Sequence, residues 1–248
     1  LWLTSDRSWL KMKMKTNKEI YVQQIFSSIA KRYDFLNSLL SLNLDRSWRE
    51  FAVRLSVPSA DSRVLDVCTG TGELAVAYAE EIGQHASILS TDFCFNMLAV
   101  GQEKFKKRDL SFFIPIEADT LNLPFQDGAF DIVSVGFGIR NVSHLRKGLS
   151  EMIRVTAPSG RVVVLEFTQP VMPIVKHVYY FYFKQVLPLI GNLISKNRDD
   201  AYGYLPSSVM EFPDCYQLKA IMEECGLVNV NYYLRTFGIV AVHVGNKG

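Results

Sequence analysis

VLDVCTGTGELAV, residues 64–76, runs from a short apolar stretch into a turn with glycine at positions 70 and 72, and then into an apolar helical pattern. A strand, a glycine turn and a helix in that order form the opening unit of an open α/β sheet. One residue complicates the reading. Asp66 stands four positions ahead of Gly70. Such turns commonly hold phosphate at the helix N-terminus, and a carboxylate beside them opposes a second anion. The expected ligand must therefore want both the turn and Asp66.

Outward from this stretch, apolar runs alternate with amphipathic ones. SRVLDV, SILSTD, LSFFIPIEAD, AFDIVSVGF and GRVVVLEFT read as five strands. TGELAVAYAEEIG, FNMLAVGQEKFKKR and HLRKGLSEMIRVT between them have helical spacing. The alternation predicts a mostly parallel sheet covered on both faces. Upstream, EIYVQQIFSSIAKRYDFLNSLLSL (19–42) is apolar at helical intervals and predicts a helical cap. Downstream, residues 171–195 are apolar and aromatic, but Lys176, His177, Lys184 and two prolines interrupt them. A helical lid is expected there rather than a membrane span, with His177 packed rather than acting as a base. DCYQLKAIMEECG predicts a helix with Asp214 as N-cap and Gly226 as stop. VNVNYYLRTFGIVAVHVG predicts a closing antiparallel hairpin around 236–238.

The chain has 248 residues, 48% of them hydrophobic and 21% charged, which suits one folded α/β domain. That domain is expected over 19–248, with 19–55 as the cap, 171–206 as the lid and substrate region, and 1–18 as a disordered or appended tail. A net charge of +2 with scattered basic residues argues against nucleic acid as a partner. Four cysteines without a CxxC pair and four isolated histidines argue against a metal site. The cysteines read as core thiols of a reducing compartment. The first residues are too charged for a signal peptide, so the cytoplasm is expected.

Two more carboxylates end strands. Asp92 closes the second strand, where it can accept both ribose hydroxyls of a nucleoside. Asp119 follows the third, where an adenine amino group can donate to it. A nicotinamide dinucleotide and S-adenosylmethionine (SAM) both fit Gly70, Gly72 and Asp92. Asp66 separates them. A pyrophosphate is repelled by it, whereas SAM brings an ammonium and a sulfonium for Asp66 and a carboxylate for the backbone N–H groups. SAM is the expected cofactor. Asp131, in AFDIV, reads as a structural residue at a strand start.

The sequence also resembles the ubiquinone/menaquinone-biosynthesis C-methyltransferases, over nearly its whole length. YDFLNSLLSLNLDRSWR (33–49) looks like the family's N-terminal signature, departing at Leu36 (usually Met), Asn43 (usually Gly) and Asp45 (usually His). RVTAPSGRVVVLEFTQP (154–170) looks like its second signature. DTLNLPFQDGAFDIVSVGFGIRNV (119–142) matches the stretch between them, and DAYGYLPSSVMEFPD (200–214) a later motif, with Ser207 in place of an acidic residue. The resemblance implies a class I SAM-dependent methyltransferase. Its Rossmann-like sheet would have seven strands, mostly parallel, with a C-terminal antiparallel hairpin, a helical cap and a lid after strand five. It also implies SAM contacts at Thr71, Asp92, Asp119, Thr120 and Gly136.

The reaction implied is methylation of a ring carbon of a prenylated quinol, in menaquinone or ubiquinone synthesis. Arg140 is then the leading cation to favour a phenolate. Arginine stays protonated, so a water held by Arg140 and Asn141 would take the proton. Asp200 and Tyr202 are secondary candidates for positioning or proton relay. Tyr33, Asn37 and Tyr182 are expected to touch the substrate. A prenylated acceptor implies contact with a membrane surface, at its cytoplasmic face, and the oligomeric state stays open, a homodimer included. The rival readings are a methyltransferase acting on a soluble aromatic acceptor, a non-catalytic SAM-binding protein and an NAD-dependent oxidoreductase.

Overall fold

The computed structural model describes residues 17–83, 87–108, 114–170, 172, 177, 179 and 201–248, with the side chains of 201–203 outside it. Residues 1–16 and nearly all of the expected lid, including Tyr182 and Asp200, lie outside the described residues.

Seven strands form one sheet in the order β3-β2-β1-β4-β5-β7-β6. They are β1 (Arg63–Val67), β2 (Ser87–Asp92), β3 (Ile114–Glu117), β4 (Phe130–Gly136), β5 (Thr156–Phe167), β6 (Leu227–Arg235) and β7 (Val240–Lys247). Strands β1 to β5 pair in parallel, while β7 is antiparallel to β5 and β6 to β7. This is the mostly parallel class I sheet with its closing hairpin. Strands covered on both faces need apolar residues on both, and Val64, Leu65, Val67, Val133, Val135, Val163 and Leu165 are all buried.

Helices α1 (Asn17–Ile29), α2 (Tyr33–Leu40) and α3 (Leu44–Ser56) precede the sheet. The apolar stretch at 19–42 is thus two helices joined by a 3-10 turn at Ala30–Arg32. Between strands run α4 (Glu73–Ile82), α5 (Phe95–Lys107) and α6 (Leu145–Val155), followed by α7 (Ala201–Glu211) and α8 (Cys215–Glu224). Trp48 of α3 and Leu74 and Tyr78 of α4 cover one face. Leu149 and Met152 of α6 and Leu218 and Met222 of α8 cover the other.

Local chemistry sets several boundaries. Asp214 accepts from the N–H groups of Tyr216 and Gln217, and Gln217 returns a bond to Asp214 N. That capping box fixes the start of α8. Between α2 and α3, Asn43 has φ 61°, a left-handed conformation that asparagine tolerates better than most residues. This accounts for a non-glycine residue at that departure from the family pattern. Asp45, the third departure, forms a buried ion pair of 2.6 Å with Arg49. Strand β5 begins earlier than GRVVVLEFT suggests, because Thr156 already pairs with Phe130 across a register shift. Asp131 binds Arg63 through both carboxylate oxygens, at 2.6 and 3.0 Å, which gives it a structural place away from the strand ends that matter below.

Candidate active site

The strand order reverses between β1 and β4, and the carboxyl ends of those two strands open a crevice. The backbone is unusual there. Cys68, just after β1, and Phe137, just after β4, both have positive φ (51° and 58°). Left-handed non-glycine residues cost free energy and cluster at functional sites. The two strand ends also press together: a Cβ on Gly138 would lie 2.3 Å from the Cβ of Cys68, so only glycine fits. Gly70 (φ 58°) faces Met97 and Tyr33 across the turn.

A cavity of about 90 Å³ lies against this crevice, and among its walls are Tyr33, Gly70, Asp92, Asp119, Thr120 and Asn141. The sequence proposed each of these six. Asp92 Oδ2 accepts from Gly70 N and Oδ1 from Cys94 N, both at 2.8 Å. Burial pushes its carboxyl up to about 6, and those backbone bonds hold it back. Asp119 Oδ1 accepts from Leu121 N at 2.9 Å. The Thr120 hydroxyl sits 3.2 Å from Cys68 Sγ. Cys68 thus lines the cavity as well as packing against the core, and all four cysteines are free thiols.

The other cofactor candidates stand behind this wall. Asp66 is fully buried. Its Oδ2 accepts from Thr69 Oγ1 at 2.6 Å, while its Oδ1 has no hydrogen-bond partner. Burial pushes its carboxyl up to about 7, with the Thr69 bond and the charge of Arg49 opposing that. Thr71 is buried and donates to Asp34 Oδ1 at 2.5 Å. Gly72 (φ 84°) is the N-cap of α4. Gly136 ends β4, where a Cβ would crowd Leu74 at 3.2 Å. Among the described residues, none of Asp66, Asp92 and Asp119 has an ion-pair partner within 4.0 Å. The orphaned Asp66 oxygen and this surplus of carboxylate fit a cationic nucleoside. They do not fit a diphosphate.

Arg140 lies on a different wall. It follows β4 in a 3-10 turn, Ile139–Asn141, and borders a second cavity of about 620 Å³ that shares Val142 and Ser143 with the first. Its NH1 binds Glu166 Oε1 at 2.7 Å and the carbonyl oxygen of Phe137 at 2.5 Å. The pair is dry, with side chains 5% and 1% exposed. Burial raises the Glu166 carboxyl, and Arg140 offsets part of that rise. Arg140 Nε is buried without a partner. Tyr204 OH donates to Asn141 Oδ1 at 3.0 Å, which links the two cavities. Burial raises the Tyr204 hydroxyl above its ordinary value, so it stays protonated at neutral pH.

Asn37 does not line the cofactor cavity. It lies beside Tyr33, whose hydroxyl is pushed up by burial. Tyr202 belongs to α7, but its side chain lies outside the described residues, as does all of Asp200. His177 is exposed, which corrects its expected packing. Glu166 and Tyr204 were missed. The sequence does carry a signal for Glu166: a lone acid in the apolar run VVVLEF needs a buried partner.

Comparison with known proteins agrees with this geometry. Residues 12–247 match the model of the "ubiE/COQ5 methyltransferase family". A ubiquinone/menaquinone biosynthesis C-methyltransferase UbiE from Geotalea daltonii is 44% identical over 233 residues, 94% of this chain and 98% of that protein. A demethylmenaquinone methyltransferase from Thermus thermophilus is 48% identical over 223 residues, covering 90% and 100%. Among solved structures, a SAM-dependent methyltransferase from Aquifex aeolicus superposes with a TM-score of 0.64 at 15% identity, over 90% of this chain and 98% of that one. This last likeness concerns the fold alone.

Proposed function

This chain belongs to the ubiE/COQ5 methyltransferase family, and from that premise we propose that its acceptor is a prenylated quinol seated in the cavity beside Arg140. It is a SAM-dependent C-methyltransferase of quinone biosynthesis. Demethylmenaquinol is the acceptor proposed first, with the ring of a ubiquinone precursor as the second of the same class.

The observation that carries this reading is the contrast in charge between the two adjoining cavities. The cofactor side has carboxylates without cations and calls for a positive ligand. The acceptor side sets Arg140, already paired with Glu166, beside the Tyr204 hydroxyl, with Lys18 and Glu211 also on its wall, and suits an uncharged ring with hydroxyl groups to share. SAM, when bound, supplies an electrophilic methyl group. Asp92 would hold the ribose, Asp119 the adenine, and Asp66 the positive end of the amino-acid moiety.

The remaining work falls to the chain's own residues. A quinol ring carbon is nucleophilic once its neighbouring hydroxyl loses a proton. The Arg140 guanidinium favours the resulting oxyanion, through N–H groups that Glu166 leaves free. A water between Arg140 and Asn141 accepts the hydroxyl proton, since Arg140 cannot. After the methyl leaves sulfur for carbon, the methylated carbon gives up its hydrogen as a proton and the oxyanion takes one back, which restores the aromatic quinol. Tyr204 keeps the Asn141 amide oriented. Holding the acceptor in line supplies roughly 7–11 kcal/mol of the barrier.

A prenyl tail keeps the acceptor in a bilayer, so peripheral contact belongs to the proposal. No helix among the described residues is long and apolar enough to cross a membrane. Phe35 and Leu39, one turn apart on α2, and Leu42 in the turn after it are 63%, 41% and 79% exposed, an apolar edge suited to a lipid interface.

Incubation with SAM and a panel of demethylated quinols, read by mass, should show a gain of one methyl on the ring. Methylation of soluble phenols alone would replace this reading with that of a methyltransferase for another aromatic acceptor.

A further inference from the structure

Beneath the glycine turn, four side chains from three helices and the turn itself form a closed network. Thr71 Oγ1 donates to Asp34 Oδ1 at 2.5 Å. Lys104 Nζ, from the last turn of α5, binds Asp34 Oδ2 at 2.9 Å and Glu73 Oε1 at 2.5 Å. Asp34 belongs to α2, in the cap, and Glu73 is the first residue of α4. The cap is thereby tied to the turn that meets the cofactor. Its other ties are more dispersed: Ser143 Oγ donates to Glu19 at 2.7 Å, and Gln23 Nε2 to the carbonyl of Phe93 at 3.1 Å.

We propose that Asp34 is a positioning residue for SAM, holding Thr71 so that the turn presents its backbone donor to the amino-acid carboxylate. Three observations carry this. Gly70 N–H is taken by Asp92 and Gly72 N–H by the Thr69 carbonyl, and Thr71 N–H between them has no hydrogen-bond partner among the described residues. Thr71 stands between two glycines at φ 58° and 84°, and glycine alone confers no rigidity. The side-chain bond to Asp34 is what fixes the residue between them. Lastly, Asp34 and Glu73 are two anions beside the N-terminus of α4, where an arriving carboxylate must also sit. Lys104 bridges both and offsets their repulsion.

The cap's position makes this a coupling as well as a contact. With Tyr33, Phe26 and Glu19 among its walls, the space over the turn is about 90 Å³, below the roughly 300–1,000 Å³ of ligand sites. The cap and the turn thus share one wall of this space, and the Asp34–Thr71 bond ties them together.

The test uses the full chain and no acceptor, so its failure would leave the quinol reading untouched. SAM affinity is measured calorimetrically for Asp34→Ala, Thr71→Val and the double variant, with melting of the SAM-free proteins alongside. Each single change should weaken SAM about tenfold or more, the scale of one charge-assisted bond. The double variant should be no weaker than the worse single one. Asp34→Asn, whose amide oxygen can still accept from Thr71, should recover part of the affinity. Amide exchange of residues 70–73 should quicken in Asp34→Ala without SAM. A SAM affinity within twofold of wild type in Asp34→Ala would overturn the proposal. So would additive losses in the double variant that track lowered melting temperatures, which would make Asp34 an ordinary cap contact.

Discussion

The two cavities that meet at Val142 and Ser143 are built on opposite electrostatic terms. On the cofactor side, Asp92 and Asp119 are held by backbone N–H groups, and Asp66 keeps one oxygen bare. Their negative charge waits for a ligand. On the acceptor side, Arg140 and Glu166 have already neutralised one another in a dry contact of 2.7 Å. A site that leaves its charge open selects a charged ligand, and one that closes it selects a neutral one. On the proposed assignment, that difference lets the first cavity take the sulfonium nucleoside and the second the quinol ring.

Breaking the closed side should have the largest effect. Arg140→Ala leaves Glu166 buried and alone, which costs about 3–5 kcal/mol of stability by chemical denaturation. Turnover should fall about 10²–10³-fold with the loss of one oxyanion donor. SAM affinity, by calorimetry, should stay close to wild type. A variant that turned over normally would remove Arg140 from the mechanism.

Breaking the open side should be felt by the cofactor alone. Asp92→Ala removes the acceptor for Gly70 and Cys94 as well as for the ribose, and should weaken SAM about 100-fold. The acceptor KM should hardly move. A parallel loss in acceptor binding would mean that the two cavities are one.

The smallest expected effect sharpens the boundary between them. Gly138→Ala forces a methyl into Cys68, costing about 1–3 kcal/mol in stability, with both ligands bound somewhat less well. Thermal melting checks it, and an unchanged melting temperature would show that the strand ends part easily.

The open side was legible in the sequence and the closed side only half so. Asp66, Asp92 and Asp119 could be found because strand ends and glycine turns are written locally, in runs such as VLDVCTG and SILSTD. Arg140 was visible as a charge after the fourth strand, but not the direction it faces. Its partner Glu166 is 26 residues away on β5, and the pairing of β4 with β5 is what brings them together. Tyr204 reaches Asn141 across 63 positions, and its motif, DAYGYLPSSVMEFPD, does not say which partner it meets. The fold was readable for the same reason as the carboxylates: periodicity and turns are local. Where the reading slipped, tertiary pairing intervened, as when Phe130 drew Thr156 into β5.

The central claim is that the cofactor side holds carboxylates short of a positive charge. Burial pushes Asp66 to about 7 and Asp92 to about 6, both above the ordinary carboxylate range near 4. The SAM-free protein therefore holds these protons to a higher pH than an unfolded chain does, with Asp92 mostly ionised and Asp66 about half ionised near pH 7. The stability they contribute is full at low pH and is lost as pH rises through 6 and 7. A cationic ligand reverses that preference, so its binding must expel protons. Titration of SAM at pH 5.5 and 7.0, in two buffers of different ionisation enthalpy, measures this directly. The account predicts tighter binding at pH 7.0 and net proton release at pH 5.5. Affinity independent of pH with no proton exchange, or tighter binding on acidification, would contradict it.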